Sequence, residues 1–226
     1  MIEICPLKGI GEIEQHAALD EILADSIETL GLTPFLDGDI LVVTQKIVSK
    51  AEDRFVDLAK VVPGPEALRL AEITRKDAQL VELVLAESRA VLRAVPHVLI
   101  TQHRSGHVMA NAGIDRSNIG DRQGDYALLL PEDADKSAER IRQGLKQRFG
   151  RAPAIVISDS FGRPWRMGVV CVALGASGLP ALQDKRGEID RNGRVLEVTQ
   201  IALADMVATA AGLAMGEGSE GVPAAL

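Results

Sequence analysis

Apolar residues fall in short bursts whose spacing changes along the chain, and that spacing predicts strands and helices in mixed order. Residues 2–7 read as a short strand ended by Pro6 and the Lys8-Gly9 pair. Leu19, Ile22, Leu23, Ile27 and Leu30 recur every three or four positions before Gly31, which predicts an amphipathic helix with a stop. Asp37-Gly38-Asp39 reads as a turn, and 40–43 as a buried strand leading into Thr44-Gln45-Lys46. Two helices are predicted over 65–74 and 77–92, the first with Pro near its start. Segments 98–102 and 107–110 flank Arg104-Ser105-Gly106 as a hairpin, and a loop follows over 111–118. A strand over 126–130 precedes a helix over 135–149, with Ala138, Ile141, Leu145 and Phe149 on one face. The small and branched residues 154–158 form a strand that stops at Asp159-Ser160-Phe161-Gly162. Residues 167–174 are apolar enough for another buried strand, and Asn192-Gly193 is a turn signal. From 198 to 215 the chain is apolar almost all round, which suggests a buried helix. The alternation of strands and helices gives an α/β or α+β class, with no simple doubly wound order.

Composition narrows the picture. At 226 residues the chain is one large domain or two small interleaved ones, given about 150 residues per domain. Such a chain buries about 70% of its unfolded surface and needs no disulfide or metal staple to fold. Hydrophobic residues make up 46% and aromatics only 3%, so the core must be aliphatic. The net charge of −7, with no basic cluster interleaved with aromatics, argues against nucleic acid as a partner. No apolar run approaches the roughly 18 residues of a membrane span, and the acidic N-terminus does not read as a signal peptide. Cys5 and Cys171 belong to no CxxC pair and read as reduced packing residues of a cytoplasmic protein.

Several familiar sites are missing: there is no GxxxxGK[ST] loop, HExxH or GxSxG elbow. Residues 216–221 fit GxGxxG, but an apolar helix precedes them and five residues follow, so a Rossmann site is rejected. A Gly-rich loop still offers backbone N–H groups to phosphate. Asp115 lies in a Gly-containing loop, Asp159 follows a strand at its carboxyl end, and Glu217 lies in the Gly-rich loop. Oxygen ligands of this kind suit Mg²⁺ or Mn²⁺, though for each acid alone the reading as a turn former, cap or solvated loop residue leads. Lys46 and Lys50 follow a buried strand and are placed to reach phosphate; from position alone the solvated reading leads for both. His16, His97, His103 and His107 show no ligand spacing. Asp205, alone on the apolar 198–215 stretch, reads as structurally paired with an arginine.

Taken together, several segments resemble the coenzyme F420-0:γ-glutamyl ligase family. They are PLKGIGEI, DGDILVVTQKIVSKAEDRFVDL, NAGIDRSN, LLLPEDADKSAERIR, ISDSFGRPWRMG, RNGRVLEVTQIALADMVA and MGEGSEGVP. They run in order through nearly the whole chain, and NAGIDRSN and SDSFGRPWR are the most specific. The resemblance implies a family-specific α+β fold over 1–226, as one catalytic unit or two interleaved subdomains without a fused flavin domain. It implies a GTP-dependent amide ligase that adds L-glutamate to the carboxylate of coenzyme F420-0, working as a cytoplasmic homodimer. Mn²⁺ or Mg²⁺ and a monovalent cation such as K⁺ would assist. Carried over by position, the metal ligands fall on Asp115, Asp159, Ser160 and Glu217. Nucleotide contacts fall on Lys8, Gly9, Ile10, Gly11, Gln45, Lys46, Lys50 and Asn118. Further ones fall on Met215, Gly216, Glu217, Gly218, Ser219, Glu220, Gly221 and Val222.

The chemistry implied agrees with the residues. A carboxylate condenses with an amine only after one of its oxygens becomes a leaving group, here an acyl phosphate made by phosphoryl transfer. Three acids holding metal, with Lys46 and Lys50, would offset the charge of anionic substrates, and no side-chain nucleophile is needed. Three departures from the family pattern stand out. Ser160 replaces a frequent Thr, Val169-Val170-Cys171 replaces a frequent Gln-Thr-Asn, and the chain stops at Leu226, where relatives usually continue through a strand and a helix. The second departure motivates an alternative, a sister ligase acting on another carboxylate. A third alternative, a non-catalytic deazaflavin or nucleotide carrier, has no need of the full set of acids.

Overall fold

A computed structural model describes residues 1–120 and 124–226. In chain order it contains α1 (Leu19–Thr29), β1 (Ile40–Thr44), α2 (Gln45–Ala51) and β2 (Phe55–Asp57). Then come α3 (Pro65–Thr74), α4 (Ala78–Ala86), β3 (Ser88–Val95), β4 (Val98–His103), β5 (Val108–Ala110) and β6 (Tyr126–Leu128). The remainder is α5 (Ala134–Phe149), β7 (Ala154–Arg163), β8 (Arg166–Ser177), β9 (Gln183–Asp184), β10 (Gln200–Ile201), α6 (Leu203–Met215) and β11 (Ala224–Ala225). This is an α+β protein, the one of the two classes allowed by its spacing that the resemblance implies.

The main sheet has the order β11-β1-β7-β8, with β1 and β7 parallel and the other pairings antiparallel. Residues 40–43 and 154–157 of its two central strands are apolar because both faces are covered there. Leu41, Val43, Ile155 and Ile157 pack with Leu23 and Ile27 of α1 and Ile141 and Leu145 of α5. Val42 and Val156 point the other way, onto Ala204, Ala208, Ala211 and Met215 of α6. A separate cluster, centred on Leu58, Leu70, Val81, Leu99 and Ile114, gathers α3, α4 and the sheet β3-β4-β5. As the low aromatic content requires, these clusters are aliphatic, with Phe35 the large buried exception; it meets Phe149 edge to face at 5.4 Å.

Five expectations are corrected. Residues 2–7 form a single bridge, Pro6 to Ala225, flanked by backbone bonds between Cys5 and Leu226, rather than a strand. The helix expected over 77–92 stops at Ala86, because Glu87 turns its carboxylate inward to Arg104 and pairing with β4 claims the residues from Ser88 onward. β7 does not stop at Asp159 but runs to Arg163, since β8 pairs with it along its length. The outer part of β8 is exposed, Met167 at 95%, so only its inner half is buried. Finally, α6 starts at Leu203 and buries only its alanine face, leaving Met206 and Leu213 exposed.

Candidate functional site

The parallel ladder of β1 and β7 ends at Thr44 opposite Ser158, and beyond that end the two chains part. Ligand groups in sheets with parallel strands gather at this carboxyl end. A cleft of about 670 Å³ opens there. After Thr44 the chain enters α2 directly, so Lys46 and Lys50, four residues apart, share a helix face. After Ser158 come Asp159 and Ser160. Opposite them the loop following α6 returns to the sheet, tied down by the bond from Thr44 N–H to the Pro223 carbonyl at 2.9 Å. The loop carrying Asp115 enters from the α3–α4 side, fixed by reciprocal backbone bonds between Asp115 and Leu128 at 3.0 and 2.8 Å.

Inside the cleft, each cation and one loop N–H is engaged by a carboxylate of the chain. Lys46 Nζ lies 2.6 Å from Asp115 Oδ2 and donates to the Ser117 carbonyl at 3.0 Å. Lys50 is only 4% exposed and pairs with Glu12 of the N-terminal segment. The Gly218 N–H donates to Glu220 Oε2 at 2.7 Å. Glu217 is held from two sides: Ser160 Oγ donates to Oε2, and Cys171 Sγ donates to Oε1 at 3.2 Å.

These neighbours set the proton affinities. Burial pushes the Asp115 carboxyl up, but the Lys46 ammonium and the Ser117 N–H and hydroxyl outweigh it, and the net shift is downward. Asp159 goes the other way, to about 6: burial dominates, the Ser160 N–H and Lys46 oppose it, and the charges of Asp115 and Glu217 add to it. Burial and then the Glu217 carboxylate push the Cys171 thiol up to about 12. Of the three carboxylates, Asp159 thus senses the other two across the cleft. The oxygens of all three, with the Ser160 hydroxyl, form a donor set that suits a hard divalent cation. As placed, no three Asp, Glu, His or Cys side chains among the described residues lie close enough to hold one ion. Asp115 is committed to Lys46, and Glu217 to Ser160 and Cys171.

Of the residues singled out from the sequence, Ile10, Gly11, Gln45, Lys46, Lys50, Asp115, Asn118, Asp159, Ser160 and 215–222 all line this cleft. Lys8 and Gly9 are exposed and do not line it. The solvated reading fails for Lys50, which is buried. Sequence reasoning missed Glu12 and Ser117, which also line the cleft, and singled out Cys171, a further lining residue, only as a packing thiol and as part of a departure from the family pattern. The charge of Glu12, within PLKGIGEI and four residues after Lys8, was its only signal. Asp205 accepts from the Ala173 N–H at 2.9 Å, so its partner is backbone and not an arginine. Both cysteines are free, but Cys171 does more than pack.

Residues 9–226 match the F420-0:Gamma-glutamyl ligase family. The chain is 45% identical over 228 residues to the coenzyme F420:L-glutamate ligase of Methanothermobacter thermautotrophicus, covering all of this chain and 86% of that one. It is 43% identical over 225 residues to the same-named protein of Methanopyrus kandleri, covering all of this chain and 85% of the relative. With that of Methanocaldococcus jannaschii identity is 40% over 198 residues, covering 87% and 77%.

Proposed function

From the premise that this chain belongs to the F420-0:γ-glutamyl ligase family, and is a ligase, we propose that it joins L-glutamate to the carboxylate of coenzyme F420-0 at the expense of GTP. The observation that carries this reading is the convergence of Lys46, Lys50, Asp115, Asp159 and the 215–222 loop, far apart in sequence, on one cleft. An oxygen of the F420-0 carboxylate attacks the γ-phosphorus, the bond to the bridging oxygen breaks, and GDP leaves with that electron pair. The glutamate nitrogen, as the free amine, then attacks the acyl carbon, the bond to the phosphate oxygen breaks, phosphate leaves with that electron pair, and the nitrogen sheds one proton to leave an amide N–H.

Lys46 and Lys50 would exchange their internal carboxylates for phosphate oxygens, and the Gly218 N–H would exchange Glu220 in the same way. Asp115, Asp159, Ser160 and Glu217 would hold Mn²⁺ or Mg²⁺, with K⁺ as a further cation. A divalent ion there supplies charge neutralisation for the transferring phosphoryl group. The working unit in this reading is a homodimer. Its support is the apolar surface at the tip of the β7–β8 hairpin and on α6, where Trp165 is 100% and Leu213 87% exposed. The test is incubation with F420-0, GTP, glutamate and Mn²⁺. The expected result is one or more glutamyl mass increments with stoichiometric GDP. GDP release only when another acid is supplied would assign the sister reaction, which the placement of Cys171 in the cleft wall keeps in play.

A further inference from the structure

Ser160 and Cys171 stand directly opposite each other in the antiparallel register of β7 and β8. Directly opposed side chains project from one face of a sheet, so these two reach the same object. That object is Glu217, whose two carboxylate oxygens each receive one donor: Oε2 the Ser160 hydroxyl and Oε1 the Cys171 thiol at 3.2 Å. Glu217 itself sits in the loop after α6, without helix or strand around it. The Cys171 side of the arrangement is fixed from behind. Its carbonyl accepts the Thr209 hydroxyl at 2.7 Å, and a Cβ at Gly212 of α6 would come within 2.7 Å of Sγ. The bare glycine is what lets the helix seat the sulfur where it stands.

We propose that the Cys171 thiol is a positioning residue, one jaw of a cross-strand clamp that fixes the Glu217 carboxylate facing the cleft. Donors behind a metal-binding carboxylate orient it and raise affinity. The consequence for cation binding rests on the reading of Glu217 given above; the clamp itself rests on the contacts alone. A thiol donates more weakly than a hydroxyl, so its loss should cost at the low end of the usual range.

Two measurements on the full chain separate these claims. In a Cys5→Ala background only one thiol remains, and its infrared S–H stretching band reports its hydrogen bond. Adding Glu217→Ala should move that band to the higher wavenumber of a weakly bonded thiol; a band that stays put overturns the clamp. The second measurement titrates Mn²⁺ against melting temperature without nucleotide. Cys171→Ala should need roughly tenfold more Mn²⁺ for half of the wild-type shift. Cys171→Ser, which restores an O–H donor, should stay within about twofold of wild type on the same scale. Ala and Ser equally impaired, or both unchanged, would mean that Cys171 only packs, and the positioning role falls. A wild-type protein that shows no Mn²⁺ shift at all, together with a moving S–H band, would sink the metal reading and leave the clamp standing.

Discussion

A lysine as buried as Lys50 has to be paired, because an isolated ammonium in a protein interior is far too costly. Its partner Glu12 has a side chain 56% exposed, so the pair is asymmetric: the lysine depends on the acid more than the reverse. Two substitutions therefore behave differently. Lys50→Met keeps the buried stem and leaves only a well-hydrated Glu12 behind, so the melting temperature should change by no more than a few degrees. Lys50→Ala also empties the stem's volume and should cost about 2 kcal/mol. Both should weaken GTP binding at least tenfold by isothermal titration; unchanged affinity in Lys50→Met would assign Lys50 to structure alone. Asp159 poses the opposite problem, since its carboxyl is held at about 6 by burial and by the charges of Asp115 and Glu217. An acid whose folded pKa exceeds its unfolded value binds more protons when folded, so stability is lost as pH rises from about 4 to 6. Asp159→Asn removes that loss. Without metal the variant should melt at or slightly above the wild-type temperature near pH 7, yet lose most of the Mn²⁺-induced shift. A variant that melts lower and keeps its shift would make Asp159 a structural residue.

At the scale of elements, the β4–β5 hairpin brings a chain of polar groups against the main sheet. His103 Nδ1 lies 2.8 Å from Ser105 Oγ, which lies 2.8 Å from His107 Nδ1, and the His107 ring meets Phe161 of β7 edge to face at 6.0 Å. The His107 imidazole is held below its usual 6.5, first by burial and then by the His103 ring; the Ala173 backbone, Asp205 and Asp135 pull less strongly upward. A histidine with a depressed folded pKa is taken up by the fold as the neutral ring. Its contribution is complete above about 6.5 and is lost as pH falls toward the folded value, because the unfolded chain binds the proton first. With the opposing Asp159 titration removed by Asp159→Asn, melting temperature should therefore drop as pH falls below about 6.5, and less steeply when His107→Gln is added; parallel curves would remove His107 from the account. The hairpin was legible because Arg104-Ser105-Gly106 punctuates two apolar runs, and α1, α5 and the central strands were legible because burial imposes period and composition on them. What was not legible depended on partners distant in sequence. Nothing in Ser88 to Val95 announces a strand until β4 lies beside it, and β7 reads as ending at Asp159 because the residues pairing it beyond that point belong to β8. Local propensity is a weak prior wherever such pairing decides.

For the whole molecule, the cleft is a meeting of segments rather than a motif. Asp115 and Asn118 come from the side of the chain built on the Leu58–Leu99 cluster, while Lys46, Lys50, Asp159 and 215–222 belong to the main sheet and its helices. The acids and lysines could be picked from the sequence as residue types, and from the resemblance as a set. Their internal pairing could not, because Glu12 to Lys50 and Cys171 to Glu217 are contacts across 38 and 46 positions. That pairing shapes the expected binding behaviour. With a net charge of −7 and Glu12, Asp115 and Glu220 already on the anion-receptive groups, a nucleoside triphosphate arriving alone would meet repulsion. In the proposed reaction a divalent cation arriving first would draw Asp115 toward itself and off Lys46, and so would prepare the cleft for phosphate. Linkage makes the effect mutual, so nucleotide must tighten metal by the same factor, typically 5- to 150-fold for coupled sites. The thermal shift with Mn²⁺ and GTP together should then exceed the sum of the separate shifts. Hydrogen exchange should show the added protection in residues 8–13, 111–118 and 216–223 at once, since those segments carry the carboxylates that change partner. Additive shifts, or protection confined to one of the three, would mean that metal and nucleotide bind without exchanging the internal ion pairs.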